Sequence, residues 1–292
     1  MEGNTLKTQF GDYIKTRGLS LNRAAEAIGY TSSVLSQWMA GEYKGSVDKV
    51  EAKVYAWLQL QLARDEAGVV PFVPLKRTER IKAVVRIAHE EKFIALVLGT
   101  SGSGKTRALE EYQTENPHTS ILIKCDHTFV LSSVVMELAH NLGIDAKGRI
   151  SEISERIIGE LKKRDLIVMF DEADYLTDNV LEYLRIAVND KGRSALVFAG
   201  LSRIEFRIKN LKNDHRQLEN RIGILLHVDD VTEEDERAVL REIWDDLPEP
   251  VIQVFWKASR KSLHILVRHI ILVRRAMKAN KTLKPTEEIA AD

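Results

Sequence analysis

The sequence predicts an α/β protein in which helices sandwich a parallel sheet, with a small all-α domain before the sheet and a helical segment after it. Four continuous apolar runs alternate with segments of helical periodicity, which is typical of buried parallel strands. These runs are residues 93–99, 121–125, 166–170 and 195–200. Both ends of the chain show helical periodicity without strand-like runs, and a run at 224–228 fits a last strand.

We predict four regions along the chain. Residues 1–66 form the all-α domain, and residues 67–78 form a linker because they hold two prolines and no periodicity. Residues 79–230 form the α/β core. Residues 231–292 form a helical lid, in which no acidic residue occurs between Lys257 and Lys284, so one helical face is basic. Such a face either attracts a polyanion or is simply solvated.

Composition limits the classes of protein that fit. Lys and Arg together number 43, as do Asp and Glu, so net charge indicates no partner. The one cysteine, Cys125, cannot close an internal disulfide and is predicted to be a core residue. The N-terminus has no apolar signal segment, and the longest apolar stretches are too short to cross a membrane. We therefore expect a cytoplasmic protein with no membrane partner.

The segment Gly99–Thr106 reads GTSGSGKT and matches the phosphate-binding pattern G-x-x-x-x-G-K-[ST] in full. An apolar strand precedes it and a helix follows it, which is the context that the motif requires. Backbone N–H groups and the helix N-terminus favour phosphate there, Lys105 reaches the β- and γ-phosphates, and Thr106 ligates Mg²⁺. The predicted ligands are ATP and Mg²⁺. The predicted nucleotide-contacting residues are Gly99, Thr100, Ser101, Gly102, Ser103, Gly104, Lys105, Thr106 and Arg107.

Two carboxylates follow the apolar run 166–170. Asp171 is predicted at the carboxyl end of that strand, where it would contact the nucleotide site and hold Mg²⁺. Glu172 is placed to orient and polarise the attacking water. Residues 171–174 spell the DEAD box of helicases, but the helical remainder of the chain is too short for the second sheet domain that such helicases need.

Residues 19–41 have the pattern of a helix-turn-helix, with Gly29 at the turn. The second helix offers short polar side chains for base edges and phosphates. The predicted DNA contacts on it are Ser32, Ser33, Ser36 and Gln37. A plain three-helix bundle used for protein contacts is the alternative interpretation.

Phosphoryl transfer also needs positive charge at the γ-phosphate, and a neighbouring subunit often supplies it as an arginine. By motif position, Arg221 in the segment QLENRIG (217–223) is the candidate for this role, and Arg216 is the second choice.

Together these motifs resemble those of the phage Mu B-type transposition proteins, which are AAA+ target-selection ATPases of transposons. The resemblance covers nearly the whole chain and rests on the order of helix-turn-helix, short linker, GTSGSGKT, LIVMFDEAD, ALVFAG and QLENRIG. It implies an AAA+ P-loop NTPase fold with a helical lid. It also implies a homo-oligomer, as a filament or ring on double-stranded DNA, that recruits and stimulates a transposase.

The resemblance also implies roles for further residues. Ser202 would take the place of the polar sensor that follows the fourth strand, because Leu201 departs from the pattern. His264 stands where relatives often carry a sensor arginine, so we expect slow hydrolysis that DNA and transposase stimulate. The DNA-contact candidates that it adds are Lys124, Thr128, Lys147 and Arg149.

Two alternatives share the same core. A helicase loader or replication ATPase would bind a replicative helicase or single strands. A nucleotide-switched transcription regulator would protect a defined operator, whereas the transposition hypothesis predicts weak sequence preference.

Overall fold

The computed structural model describes residues 2–68, 70–210 and 216–291. Contacts divide the chain into two compact units, residues 1–69 and 70–292. The described residues of the first unit form four helices, α1 (Glu2–Thr16), α2 (Leu21–Ile28), α3 (Ser32–Ala40) and α4 (Val47–Ala67).

The helices of the first unit surround a small apolar core. Leu35 and Trp38 of α3 are buried in it beside Phe10, as the sequence pattern predicts. Gly29 ends α2 in the left-handed conformation (φ 82°), where glycine has no steric penalty. Val47, the first residue of α4, is exposed.

The second unit is built on a five-stranded parallel sheet in the order β2-β3-β4-β1-β5. The strands are β1 (Ile94–Leu98), β2 (Ser120–Lys124), β3 (Ile167–Asp171), β4 (Ala195–Gly200) and β5 (Ile222–His227). Every residue of β1, β3 and β4 is buried. The predicted parallel sheet, buried on both faces, is therefore confirmed.

Helices cover both faces of this sheet. They are α5 (Lys76–Glu91), α6 (Lys105–Glu115), α7 (Leu131–Leu142), α8 (Ile150–Leu161), α9 (Asp178–Leu184), α10 (Arg203–Asn210) and α11 (Arg216–Glu219). Alternate strand residues face opposite layers. Leu96 and Phe170 pack with α7, α8 and α9, whereas Val97 and Met169 pack with α5 and α6. After α9 the helix continues in π-helical geometry over Arg185–Lys191.

The lid consists of α12 (Glu233–Ile243), α13 (Glu249–Ser259), α14 (Leu263–Ala279) and α15 (Glu287–Ala291). Its core also takes in Val70 and Leu75, so part of the segment predicted as a linker packs against the lid. The segment also ends earlier than predicted, because α5 begins at Lys76. Among the described residues, no helix is both long enough and apolar enough to cross a membrane.

Candidate nucleotide site

The glycine-rich loop Gly99–Gly104 joins β1 to α6 at the carboxyl edge of the sheet. Gly102 (φ 79°) and Gly104 (φ 95°) are in the left-handed region, which residues with a Cβ rarely adopt. The N–H of Gly99 donates to the carbonyl of Gly200 at 3.1 Å, so the loop is tied to the end of β4. The glycines therefore let the backbone wrap around the N-terminus of α6, where the helix dipole favours an anion.

Lys105 is the first residue of α6, and its side chain folds back over this loop. Its ammonium donates to the carbonyl oxygens of Gly99 (2.8 Å) and Thr100 (2.9 Å), and to the hydroxyl of Ser103 (3.3 Å). Burial lowers the pKa of Lys105, and the carboxylates of Asp171, Asp174 and Glu172 oppose that shift. The ammonium thus lies in a loop lined with backbone groups and close to three negative charges.

Thr106 and Asp171 meet directly. The Thr106 hydroxyl donates to Oδ2 of Asp171 at 2.7 Å, and the Glu172 N–H donates to Oδ1 of Asp171 at 3.0 Å. Asp171 is only 1% exposed. A hydroxyl beside one buried carboxylate fits Mg²⁺, which binds few protein ligands and takes the rest from phosphates and water. In the described part of the chain, no cluster of three or more His, Cys, Asp or Glu side chains offers an all-protein metal site.

Glu172 follows Asp171 and is exposed. Its backbone is left-handed (φ 54°), which is uncommon for a residue other than glycine. Its carboxylate is close enough to Lys105 to act on the lysine's charge. The structure therefore brings Lys105, Thr106, Asp171 and Glu172 to one edge of the sheet, as the sequence motifs predict.

Comparisons with known proteins agree with this geometry. Residues 88–208 match the model of a family described as AAA domain. A Mu-like prophage FluMu DNA transposition protein B of Haemophilus influenzae is 28% identical over 208 residues, which are 70% of this chain and 72% of that protein. The ATP-dependent target DNA activator B of Escherichia phage Mu is 29% identical over 193 residues, 65% of this chain and 61% of that protein. The chain thus spans less than two thirds of the phage Mu relative.

Solved structures resemble the fold. The ORC2 protein of Aeropyrum pernix superposes with a TM-score of 0.61 at 14% identity, over 77% of this chain and 68% of that one. The RuvB branch migration motor of Thermotoga maritima gives 0.52 at 18% identity, over 75% of this chain and 68% of that one. The chain has an AAA+ P-loop fold and is similar in sequence to the transposition proteins B. At 14% and 18% identity, the solved structures support a statement about the fold only.

The lid of this AAA+ protein touches the phosphate loop. The N–H of Leu263, the first residue of α14, donates to the carbonyl of Gly102 at 3.0 Å. A Cβ on Gly102 would lie 2.1 Å from the Ser262 hydroxyl, so the loop and lid are in close contact. His264 is exposed in the first turn of α14, next to this contact.

The other predicted site residues whose side chains are described are exposed, and Arg221 lies at the opposite, amino edge of the sheet, because Ile222 after it is in register with Ile94, the first residue of β1. Ser202 follows β4 and is exposed. Arg107 is exposed on α6 and pairs with Glu110 at 3.2 Å, one helical turn away. Arg221 is more than half exposed, and its guanidinium lies 3.3 Å from the carboxylate of Asp190. The side chain of Arg216, the alternative to Arg221, lies outside the described residues.

The predicted DNA contacts of the AAA+ unit are at two places. Lys124 ends β2 in register with Asp171, which puts it at the nucleotide edge of the sheet. Thr128 donates to Asp126 in the following turn. Lys147 and Arg149 are exposed before α8, and the Arg149 N–H donates to Glu152 at 3.1 Å. All four side chains are exposed.

The predicted DNA contacts of the first unit lie on α3. Ser33, Ser36 and Gln37 are exposed, and Ser32 is half-buried. Thr31 caps this helix, because its hydroxyl accepts a hydrogen bond from the Val34 N–H at 3.4 Å. The polar face of α3 is thus available to a ligand.

Two arginine clusters near the site were not predicted from the sequence. Arg77 is buried at the start of α5 and donates to Asp235 of the lid (2.8 Å) and to the carbonyls of Asp229 (2.8 Å) and Asp230 (2.5 Å). This arginine ties the core to the lid. The second cluster joins Arg203 to Asp174. Neither pair has a sequence signal, because the partners are far apart in the chain.

Proposed function

We propose that this chain binds ATP with Mg²⁺, hydrolyses it, and uses the nucleotide to control binding to double-stranded DNA during target selection for a transposase. The observation that carries this proposal is the convergence of Lys105, Thr106 and Asp171 at the N-terminus of α6. The names of the homologues, transposition protein B and ATP-dependent target DNA activator B, supply the biological setting.

ATP binding would change the partners of Lys105. Its ammonium would exchange the carbonyls of Gly99 and Thr100 for β- and γ-phosphate oxygens, which are charged and stronger acceptors. The Thr106 hydroxyl and the Asp171 carboxylate would hold Mg²⁺, which neutralises charge between the phosphates. The contact between Leu263 and Gly102 puts the lid where it would respond to the triphosphate.

Hydrolysis would depend on Glu172 and on an arginine from a neighbouring subunit. Glu172 would accept a hydrogen bond from the attacking water and polarise it. Arg221 would leave Asp190 and reach the γ-phosphate of the adjacent subunit in a homo-oligomer. His264 in the lid offers less charge to the γ-phosphate than an arginine, so we expect slow turnover, below about 10 per second.

DNA would be held by exposed polar and basic side chains. Ser33, Ser36 and Gln37 on α3 fit a helix-turn-helix that contacts the major groove. Lys124, Lys147 and Arg149 would add phosphate contacts from the AAA+ unit. Phosphate contacts carry no sequence information, which agrees with the weak sequence preference expected of target selection.

Substitution of Glu172 tests the hydrolytic part of this proposal. Glu172→Gln keeps the shape of the side chain but removes its basicity, so we expect ATP affinity within twofold of the parent protein and turnover at least about a hundredfold lower. Nucleotide titration and phosphate release measure the two quantities. Glu155→Gln, an exposed position on α8, is the matched control. Unchanged turnover in Glu172→Gln would remove Glu172 from the mechanism.

Mixed oligomers test whether Arg221 acts between subunits. Arg221→Ala keeps an intact phosphate loop, and Lys105→Ala keeps Arg221, so each alone is expected to be inactive. A mixture of the two builds composite sites in which both groups are present, and turnover is expected to recover in part. Full activity of Arg221→Ala alone would exclude the role, whereas an inactive mixture would place Arg221 in its own subunit's site.

A further inference from the structure

The turn after β3 holds Glu172 in a strained conformation. Its φ of 54° costs free energy for a residue with a Cβ, and such residues persist only where the surroundings fix them. On one side, the Asp171 carboxylate accepts the Glu172 N–H at 3.0 Å. On the other side, the carbonyl of Glu172 accepts the N–H of Tyr175 at 3.0 Å in a short 3₁₀ turn, residues 173–175.

Asp174, in the middle of that turn, fastens it to the end of β4. The Asp174 carboxylate is buried and accepts the Leu201 N–H at 3.2 Å. It also accepts two hydrogen bonds from the Arg203 guanidinium, one of them from Nε at 2.8 Å. A Cβ on Gly200 would lie 2.6 Å from Oδ1 of Asp174, so the two segments are in direct contact.

Arg203 itself is half-exposed, and its guanidinium lies 5.5 Å from the centre of the Tyr175 ring. It therefore touches the turn at two points, the carboxylate of Asp174 and the ring of the next residue. A guanidinium that donates two bonds to one carboxylate fixes its orientation as well as its charge. The result is a strap across the carboxyl edge of the sheet, between the turn that carries Glu172 and the segment that follows β4.

We propose that Asp174 and Arg203 are positioning residues for hydrolysis, which hold the turn after β3 so that the Glu172 carboxylate stays at the nucleotide site. This inference rests on the proposed function, because it acts through Glu172. Neither residue belongs to the loop 99–106, which would supply the phosphate contacts, so nucleotide would still be held without them. Loss of the strap therefore slows the chemical step and leaves ATP affinity unchanged.

Asp174→Asn tests the ion pair between Asp174 and Arg203 separately from the other hydrogen bonds of the strap. The amide oxygen still accepts the Leu201 N–H, but the charge-assisted bonds to Arg203 are lost. We expect kcat to fall by about tenfold to a hundredfold, the range expected when a reacting group is misplaced by about 1 Å, with KM within twofold of the parent value. Arg203→Gln removes the same pair from its more exposed side and is expected to give the same result, and Arg203→Lys restores part of the loss.

Lys209→Gln is the matched control. Lys209 pairs with Glu205 within α10, so the control also removes an ion pair of this helix, but one that makes no contact with the turn after β3. Its kcat is expected to stay within twofold of the parent value. An equal fall in this control would show that the effect comes from loosening α10, and would overturn the proposal.

A double-mutant comparison gives the decisive readout. Glu172→Gln and the combined Glu172→Gln, Asp174→Asn protein are expected to have the same residual turnover, because the strap acts only through Glu172. A further loss in the combined protein would overturn the proposal, as would a kcat for both Asp174→Asn and Arg203→Gln within twofold of the parent value. An active Glu172→Gln protein would instead remove Glu172 from the proposed mechanism of hydrolysis, so the two failures are distinguishable.

Discussion

The phosphate loop and the polar face of α3 carry the two proposed activities, and they differ in how their polar groups are bonded. Lys105 and Asp171 are at most 9% exposed, and each has hydrogen-bond partners within the chain. Ser33, Ser36 and Gln37 are exposed to solvent. Buried polar groups cost free energy unless they are paired, so their convergence points to a specific ligand chemistry.

Exposed polar side chains carry less information, because any folded surface has them. The proposal that the α3 face binds DNA therefore rests on the pattern of the two helices and on the names of the homologues. The nucleotide site is thus proposed from buried, hydrogen-bonded side chains. The DNA contact is proposed from an exposed helix face and needs a binding measurement. The following predictions test that contrast.

The largest effect is expected at the phosphate loop. Lys105→Ala removes an ammonium that would contact two phosphates, and charge-assisted bonds of this kind contribute about 1.5–3 kcal/mol each. We expect ATP affinity to fall by roughly a hundredfold to a thousandfold, as measured by equilibrium titration with a fluorescent ATP analogue. Lys163→Ala, an exposed lysine just after α8, is the control. Affinity within threefold of the parent value would contradict the phosphate role of Lys105.

Glu236, a buried carboxylate in the lid, tests whether a buried charged group affects folding stability without belonging to the nucleotide site. Glu236 is 1% exposed, its Oε1 accepts a hydrogen bond from Ser259, and its Oε2 has no partner among the described residues. Burial raises the pKa of Glu236 to about 7 from its ordinary 4.5. Because Glu236 binds its proton more tightly in the folded state, its stabilising effect is complete below pH 4.5 and is lost as pH rises through 7.

Glu236→Gln should therefore stabilise the AAA+ unit at pH 8 by about 3 kcal/mol and have little effect at pH 4. Thermal unfolding at the two pH values measures the difference. The control is Glu234→Gln, which is exposed in the first turn of the same helix. A lower melting temperature at pH 8 would show that the charged form of Glu236 is stabilised by a contact that burial does not explain.

The smallest effects are expected in the first unit, where residues that cap helices and residues proposed to contact DNA can be tested separately. Ser20 and Thr31 cap α2 and α3, so replacing either by Ala should cost about 1 kcal/mol and raise the local exchange rate of helix amides roughly fivefold. Ser36→Ala removes an exposed hydroxyl that caps no helix, so the exchange rate of the helix amides should stay unchanged. Equal exchange in all three variants would mean that the caps do not stabilise these helices.

The sequence predicted the features that local motifs encode. The loop 99–106, the strand ending at Asp171 and the parallel sheet each depend on neighbouring residues or on continuous apolar runs. The strap between Asp174 and Arg203 could not be predicted, because the residues are 29 positions apart and charged residues are common at both places. The same is true of Arg77 and Asp235, which are separated by 158 positions.

The segment 70–75 is a second kind of feature that could not be predicted from the sequence. Its prolines and lack of periodicity indicated a linker, but Val70 and Leu75 are buried in the lid core. An irregular segment has no repeating pattern, so the sequence does not reveal which of its side chains are buried. The π-helical geometry at Arg185–Lys191 was likewise hidden, because its residues have an ordinary helical pattern.

The most direct test of the proposed function is binding to a labelled random-sequence DNA duplex with ATP, with ADP and without nucleotide, in parallel with Lys105→Ala. We predict tight binding only with ATP, loss of that binding in Lys105→Ala, and little dependence on DNA sequence. Binding of equal strength in all nucleotide states, or protection of one defined sequence, would contradict the claim that ATP controls DNA binding by this protein.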